Sequence, residues 1–256
     1  MGHHAMNGFF VISLRGVFRH WKLAAALMLL IVGLSEWHAL HAASARGGTN
    51  PAITWYVPTD QKVVALTFDD GPWRSSTPQI LRILVHHHAL ATFFVIGQQV
   101  LRDPDIIRQE VKDHMEIGNH TFSHMNLAKH SYAQIVSDLS QANQAIKDVT
   151  GHPPTLLRTP YGTYNPTVLR AAQELHLRVI MWSWTEDTRD WANPGVEAIV
   201  SRVVSHIQPG DIVLFHDGGS DRSQTIAALP IILKDLALRG YRFVTVSQLL
   251  TQAQMH

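Results

Sequence analysis

Six short apolar runs, at 63–68, 91–96, 155–157, 179–182, 212–215 and 243–246, are separated by segments whose apolar residues recur at helical spacing. Runs that stay apolar at successive positions read as strands buried on both faces, which is how a parallel sheet covered by helices looks in sequence. The segments 77–88, 105–114, 132–149, 167–175, 196–207 and 225–239 supply the helices. A further short strand at 116–119 brings the count to about seven strand–helix units. The expected fold is therefore α/β, a distorted or incomplete (β/α)7 barrel in a single domain.

Polar clusters fall at telling places in this pattern. Asp69-Asp70-Gly71-Pro72, the stretch 120–124, the stretch 158–161, the stretch 187–191 and His216-Asp217 each directly follow an expected strand. Barrel chemistry is assembled from the ends of several different strands, so five such clusters define a candidate active face.

Asp69 and Asp70 are adjacent carboxylates ahead of a Gly-Pro turn. Neighbouring side chains on an extended segment point apart, so one could hold a metal while the other faces a bound water. A turn or helix N-cap before 75–77 is the structural alternative. His120 and His124 have ligand spacing, although with 17 histidines in 256 residues about one such pair arises by chance. Their position after Gly118-Asn119, expected as a turn at a strand end, and the small polar neighbours Thr121 and Ser123 give the pair its weight. Two imidazoles and one Asp would make a facial triad with open positions, as in catalytic zinc and some iron or cobalt sites. Arg158 could place a fixed positive charge beside Asp69, or be a surface residue before a turn. Asp187, Asp190 and Trp191 offer carboxylates and an aromatic wall, or a loop acid and a core Trp. Strand alternation puts Leu214 and His216 on one face with Phe215 opposite.

Composition narrows the function. Lys plus Arg (21) balances Asp plus Glu (20), so no strong field points to nucleic acid. The absence of cysteine excludes disulfides and thiolate ligands, leaving His, Asp and Glu for any tightly bound transition metal. Arg15, Arg19 and Lys22 precede an apolar run at 23–34, and small residues follow at 43–45. Residues 1–45 are expected to be a signal peptide or an uncleaved signal anchor, 46–60 a short linker and 61–256 the catalytic domain, so that the domain is extracellular or in the cell envelope.

The ordered set T-F-D-D-G-P (67–72), N-H-T-F-S-H (119–124), R-T-P-Y (158–161), D-T-R-D-W (187–191) and L-F-H (214–216) resembles the NodB-like polysaccharide deacetylases over roughly residues 60–250. The resemblance implies a metal held by Asp70, His120 and His124, zinc first with cobalt or nickel as alternatives. It implies Asp69 as general base, Arg158 as its partner, the Tyr161 backbone N–H as an oxyanion donor, Asp190 as the group orienting His216, and His216 as general acid. Trp191 and Leu214 would wall the pocket for the acetyl methyl. The implied reaction is removal of N-acetyl groups from an amino-sugar polymer, chitin oligosaccharide or peptidoglycan, with release of acetate. An O-acetyl xylan esterase, a hydrolase of small cyclic amides and a non-catalytic carbohydrate-binding wall protein are the alternatives. The expected partner is the N-acetylated polysaccharide, with membrane contact only through an uncleaved N-terminal segment; oligomeric state is not indicated.

Overall fold

The computed structural model describes residues 52–252 and, apart from them, Met28. The chain divides into two units, Met1–Ser44 and Ala45–His256, and 52–252 belong to the second. The expected signal segment lies outside this span. No helix among the described residues is long and apolar enough to cross a membrane.

Seven parallel strands form one curled sheet: β1 (Ile53–Thr54), β2 (Val63–Asp69), β3 (Ala91–Val95), β4 (Glu116–Asn119), β5 (Leu156–Leu157), β6 (Arg178–Ile180) and β7 (Ile212–His216). Their order is β1-β6-β5-β4-β3-β2-β7, and β8 (Arg242–Phe243) pairs with the start of β2. Around them run α1 (Thr77–His86), α2 (Gly97–Arg102), α3 (Pro104–Lys112), α4 (Tyr132–Thr150), α5 (Pro166–Glu174), α6 (Val196–Val204), α7 (Ser223–Leu238) and α8 (Val246–Gln252). Between β6 and β7 no regular ladder forms. The Ser183 N–H donates to the Ile212 carbonyl at 3.0 Å, and Asp187 bridges to Leu214. The barrel is thus incomplete, as its sequence pattern indicated.

Three details differ from the sequence reading. The stretch taken as a linker contains β1, and Trp55 and Val57 just after it are buried in the core. Gly118 and Asn119 finish β4 rather than forming a turn. The run at 243–246 is not one strand: β8 stops at Phe243 and α8 begins at Val246. The cause is local, because the Thr245 hydroxyl accepts from the Gln248 N–H while the Gln248 side chain accepts from the Thr245 N–H. That reciprocal capping box nucleates a helix whatever the strand propensity of Val244 and Val246.

Helix-to-strand connections follow one recipe. His88, His114 and His176 take left-handed φ values just after α1, α3 and α5. Ala89, Met115 and Leu177 then donate back to the carbonyls of Leu84, Glu110 and Ala172. These are Schellman ends, with histidine where glycine is usual, and they account for three of the histidines without any chemistry.

Alternation along the strands sorts the core. Val64, Leu66 and Phe68 of β2, Ala91, Phe93 and Val95 of β3, and Val213 and Phe215 of β7 face the helical layer. Val63, Ala65, Phe94 and Ile212 face inward, where Val246 and Leu249 of α8 pack against them. The same inward register carries Thr67, Asp69, Leu214 and His216 toward the open end. One strand therefore supplies both the barrel's packing and its chemistry.

Candidate active site

Asp69 and His216 are register partners on neighbouring strands. Asp69 is buried, and its Oδ1 accepts from the Arg158 Nη1 at 2.9 Å. Arg158 is itself fully buried inside the barrel, where it donates to the Thr67 hydroxyl (2.6 Å) and to the Ile180 and Met181 carbonyls, and lies over the Phe94 ring at 4.2 Å. Burial pulls its basicity down and Asp69 opposes this; an arginine in such a setting keeps its charge.

Asp70 does not continue the strand. Its φ of 75° turns the chain out of the extended region, so the two adjacent carboxylates do not point apart as alternation would have them. Both approach His120, whose Nε2 lies 3.9 Å from Asp69 and 3.4 Å from Asp70 Oδ1. His124 Nε2 is 3.1 Å from the same Asp70 oxygen. The turn is held from behind by very close packing: a Cβ on Gly71 would lie 2.1 Å from Asp217 Oδ2, and one on Gly218 would lie 2.2 Å from the Asp70 carbonyl.

Asp70, His120 and His124 offer ligand atoms within 4.8 Å of one another, and this triad is the group of that kind among the described residues. Whether it suits a divalent cation can be read from the donors. His120 Nδ1 lies 2.8 Å from the Arg158 carbonyl, which fixes the tautomer with the proton on Nδ1 and leaves the Nε2 lone pair facing Asp70. Asp70 Oδ1 is buried with no hydrogen-bond partner among the described residues. Burial lowers the His120 basicity, but the Asp69 and Asp70 carboxylates outweigh it and raise it. Burial pushes the pKa of Asp70 up, and the two imidazoles overcome this and hold it below the ordinary carboxylate value. A buried pocket that favours positive charge and holds two imidazole nitrogens and one orphaned carboxylate oxygen fits zinc, cobalt or nickel. The His124 N–H donates to the Thr121 hydroxyl at 2.9 Å, while the Ser123 hydroxyl donates to Asp138, so of these two small polar neighbours Thr121 is the one that bonds a triad residue.

On the other side, His216 Nδ1 is 2.7 Å from Asp190 Oδ1, and the His216 backbone N–H donates to Asp190 Oδ2 at 2.9 Å. Burial pulls the imidazole down; Asp190, with Asp69 and Asp70 further off, pushes it above the ordinary histidine value. Burial pushes Asp190 up, but its bonds with His216 and Thr225 keep it below the ordinary carboxylate value. Two holders of Asp190 carried no sequence signal: the Thr225 hydroxyl donates to its Oδ2 at 2.8 Å, and the buried Arg222 donates to its carbonyl and to that of Gly218. Thr225 lies in the segment 225–239 that reads as ordinary helix, and Arg222 immediately precedes α7.

A cleft of about 490 Å³ joins these groups, lined among others by Asp69, Asp70, His120, His124, Tyr161, Trp191, Leu214 and His216. Trp182, Thr159 and Asp187 also line it; the sequence marks Asp187 as a candidate carboxylate and Trp182 only as the end of a strand. Arg158 and Asp190 are buried behind the cleft wall. Tyr161 has φ 61° and ψ 11°, and Asp70, Thr121, His124 and Arg189 also have positive φ. Such conformations cost non-glycine residues roughly 1–3 kcal/mol each and concentrate where function holds a backbone in place.

The chain as a whole is similar to known proteins. Residues 56–180 match the family model described as polysaccharide deacetylase. A peptidoglycan-N-acetylglucosamine deacetylase of Bacillus cereus is 48% identical over 77% of this chain and 92% of its own length. A chitooligosaccharide deacetylase of a Bradyrhizobium species is 39% identical, covering 73% of this chain and 90% of its own. The solved structure of the peptidoglycan deacetylase PdaC from Bacillus subtilis superposes with a TM-score of 0.71 at 35% identity, covering 78% of this chain and 95% of that one. Sequence and fold agree, and the chain belongs to the polysaccharide deacetylase family of hydrolases.

Proposed function

We propose that this protein hydrolyses the N-acetyl group of N-acetylglucosamine residues in a polymer, peptidoglycan or chitin oligosaccharide, releasing acetate and leaving a free amine. The observation that carries the reading is the placing of two oppositely built pairs on adjacent strands beside the Asp70, His120 and His124 triad. Asp69 is paired with a buried guanidinium, and His216 is paired with a buried carboxylate.

Asp70, His120 and His124 would hold the metal, zinc first. When bound there, it supplies a Lewis acid that polarises a carbonyl and makes a water more acidic. Asp69 is the group placed to take the proton of the attacking water, since Arg158 fixes its Oδ1 and leaves Oδ2 facing His120. The Tyr161 backbone, held in its left-handed turn, would offer its N–H to the oxygen that gains charge on attack. His216 is the acid: an amine leaves poorly as an anion, and the imidazolium sustained by Asp190 gives its Nε2 proton to the departing nitrogen. Trp191 and Leu214, with Trp182, would enclose the acetyl methyl. Action outside the cytoplasmic membrane follows from the charged and apolar pattern of residues 1–45.

The test is acetate and free-amine release from N-acetylglucosamine oligomers and from purified peptidoglycan, before and after chelation and with zinc added back. Chelator-sensitive release that falls roughly a thousandfold in D69N supports the reading. Undiminished release by D69N, or none from either polymer with metal supplied, would sink it.

A further inference from the structure

Three exposed aromatic side chains lie in loops that follow strands. Tyr161, Trp184 and Trp191 are 66%, 56% and 54% exposed, and they lie in the loops after β5 and β6. The other large apolar side chains exposed within 52–252 are aliphatic and lie on the outer helices: Val85, Leu101, Val111, Ile231 and Leu238. Tyr161 and Trp191 line the catalytic cleft, whereas Trp184 does not.

Trp184 is nevertheless built into the rim. It opens a single turn, Trp184–Glu186, between Trp182 and Asp187, both of which line the cleft. Only one residue separates it from Trp182, so their Cα atoms lie within roughly 7 Å. The intervening Ser183 is buried and fixed, its N–H on the Ile212 carbonyl and its hydroxyl on Asp211 at 2.8 Å. The indole rests edge-on against the buried Trp55, ring centroids 5.7 Å apart at 81°, and Trp55 packs edge-on against Tyr164 in turn, at 6.5 Å and 67°. One side of Trp184 is thus supported while more than half of its surface stays open. A rigid, supported indole at the lip of a cleft is a ready platform for a ring with one apolar C–H face and polar edges.

We infer that Trp184 forms a second sugar-binding position beside the catalytic cleft, taking the apolar face of a hexose ring adjoining the one that is deacetylated. The inference rests on the proposed polymer substrate and adds that the enzyme engages at least two consecutive sugars. Trp184 is a binding residue here and takes no part in the chemistry.

The experiment compares kcat and KM for N-acetylglucosamine oligomers from dimer to hexamer in the unaltered protein, W184A, W184F and W184L, with oligomer binding followed by calorimetry. W184A should raise KM for the longer oligomers by about five- to tenfold, as loss of one aromatic stacking partner predicts, with kcat unchanged and the shortest substrate turned over least affected. W184F should recover most of the loss and W184L, which still covers Trp55, should not. Equal loss on all lengths, full recovery in W184L, or hexamer binding unchanged by W184A would overturn the inference while leaving the catalytic reading intact. An unaltered protein that binds the oligomers yet releases no acetate from them would overturn the catalytic reading and leave the binding position to be judged on the calorimetry. Absence of both overturns both.

Discussion

The carboxylates of this barrel divide into two sets a short distance apart. At the rim, Asp69 and Asp190 are buried but partnered, one by Arg158 and the other by His216 and Thr225. Behind the rim, Asp217 and Glu110 are as deeply buried with far less support. Asp217 accepts one hydroxyl bond from Thr77, its Oδ1 has no partner, and neither oxygen of Glu110 has one among the described residues. Burial pushes Asp217 up to about 7 and Glu110 well above the ordinary carboxylate value. Identical chemistry is thus put to opposite use. The rim surrounds its acids with cations and donors, whereas the acids behind it, buried without them, are shifted toward the protonated form.

Removing a rim partner should have the largest effect. R158M would leave Asp69 buried without its cation, and loss of one partner of a buried pair costs roughly 3–5 kcal/mol. Urea unfolding should show that loss together with loss of acetate release; a variant as stable as its parent would mean the rim pair is not what separates the two sets. The next effect concerns Asp217. Its pKa in the folded state is raised from 3.8 to about 7, so the folded state holds the proton more tightly than the unfolded chain. The stability this gives is complete below pH 3.8 and is lost as pH rises to about 7 and just beyond. D217N should flatten the melting temperature across that interval, a difference on the order of a few kcal/mol. An unchanged slope would show that Asp217 does not carry the proton.

Glu110 sharpens the comparison from the other side. With no partner to lose, E110M should stabilise the fold by about 1–2 kcal/mol, and more at alkaline pH; destabilisation would reveal a partner. T225V is expected to be mildest. It removes one neutral donor from Asp190, worth about 1 kcal/mol, so kcat should fall several-fold with KM unchanged and recover in T225S. An equal fall in T225S would argue for packing rather than the hydroxyl.

Much of this was legible in sequence because strand alternation is a local rule. The inward register of Asp69, Leu214 and His216 follows from period two once the strands are recognised. The break at Thr245 was also legible, since Thr and Gln three apart form a capping box, but apolar continuity at 243–246 obscured it. β1 was missed because two residues give no periodicity. Thr225 left no trace because a residue that supports a site from a helix looks like any helical residue, and Arg222 left none because an arginine just ahead of a helix reads as a surface residue.

The sequence by itself determined the class of fold, the long apolar strands, and the five polar clusters after strands, because these depend on short-range periodicity and residue type. Tertiary structure alone decided that Asp70 turns back so that both carboxylates reach His120, that Arg158 lies inside the barrel rather than on its surface, and which buried acids have partners. Those outcomes depend on contacts such as Gly71 against Asp217 and Arg158 against Phe94, made between residues far apart in the chain, and burial and partnership are properties of such contacts rather than of any local stretch.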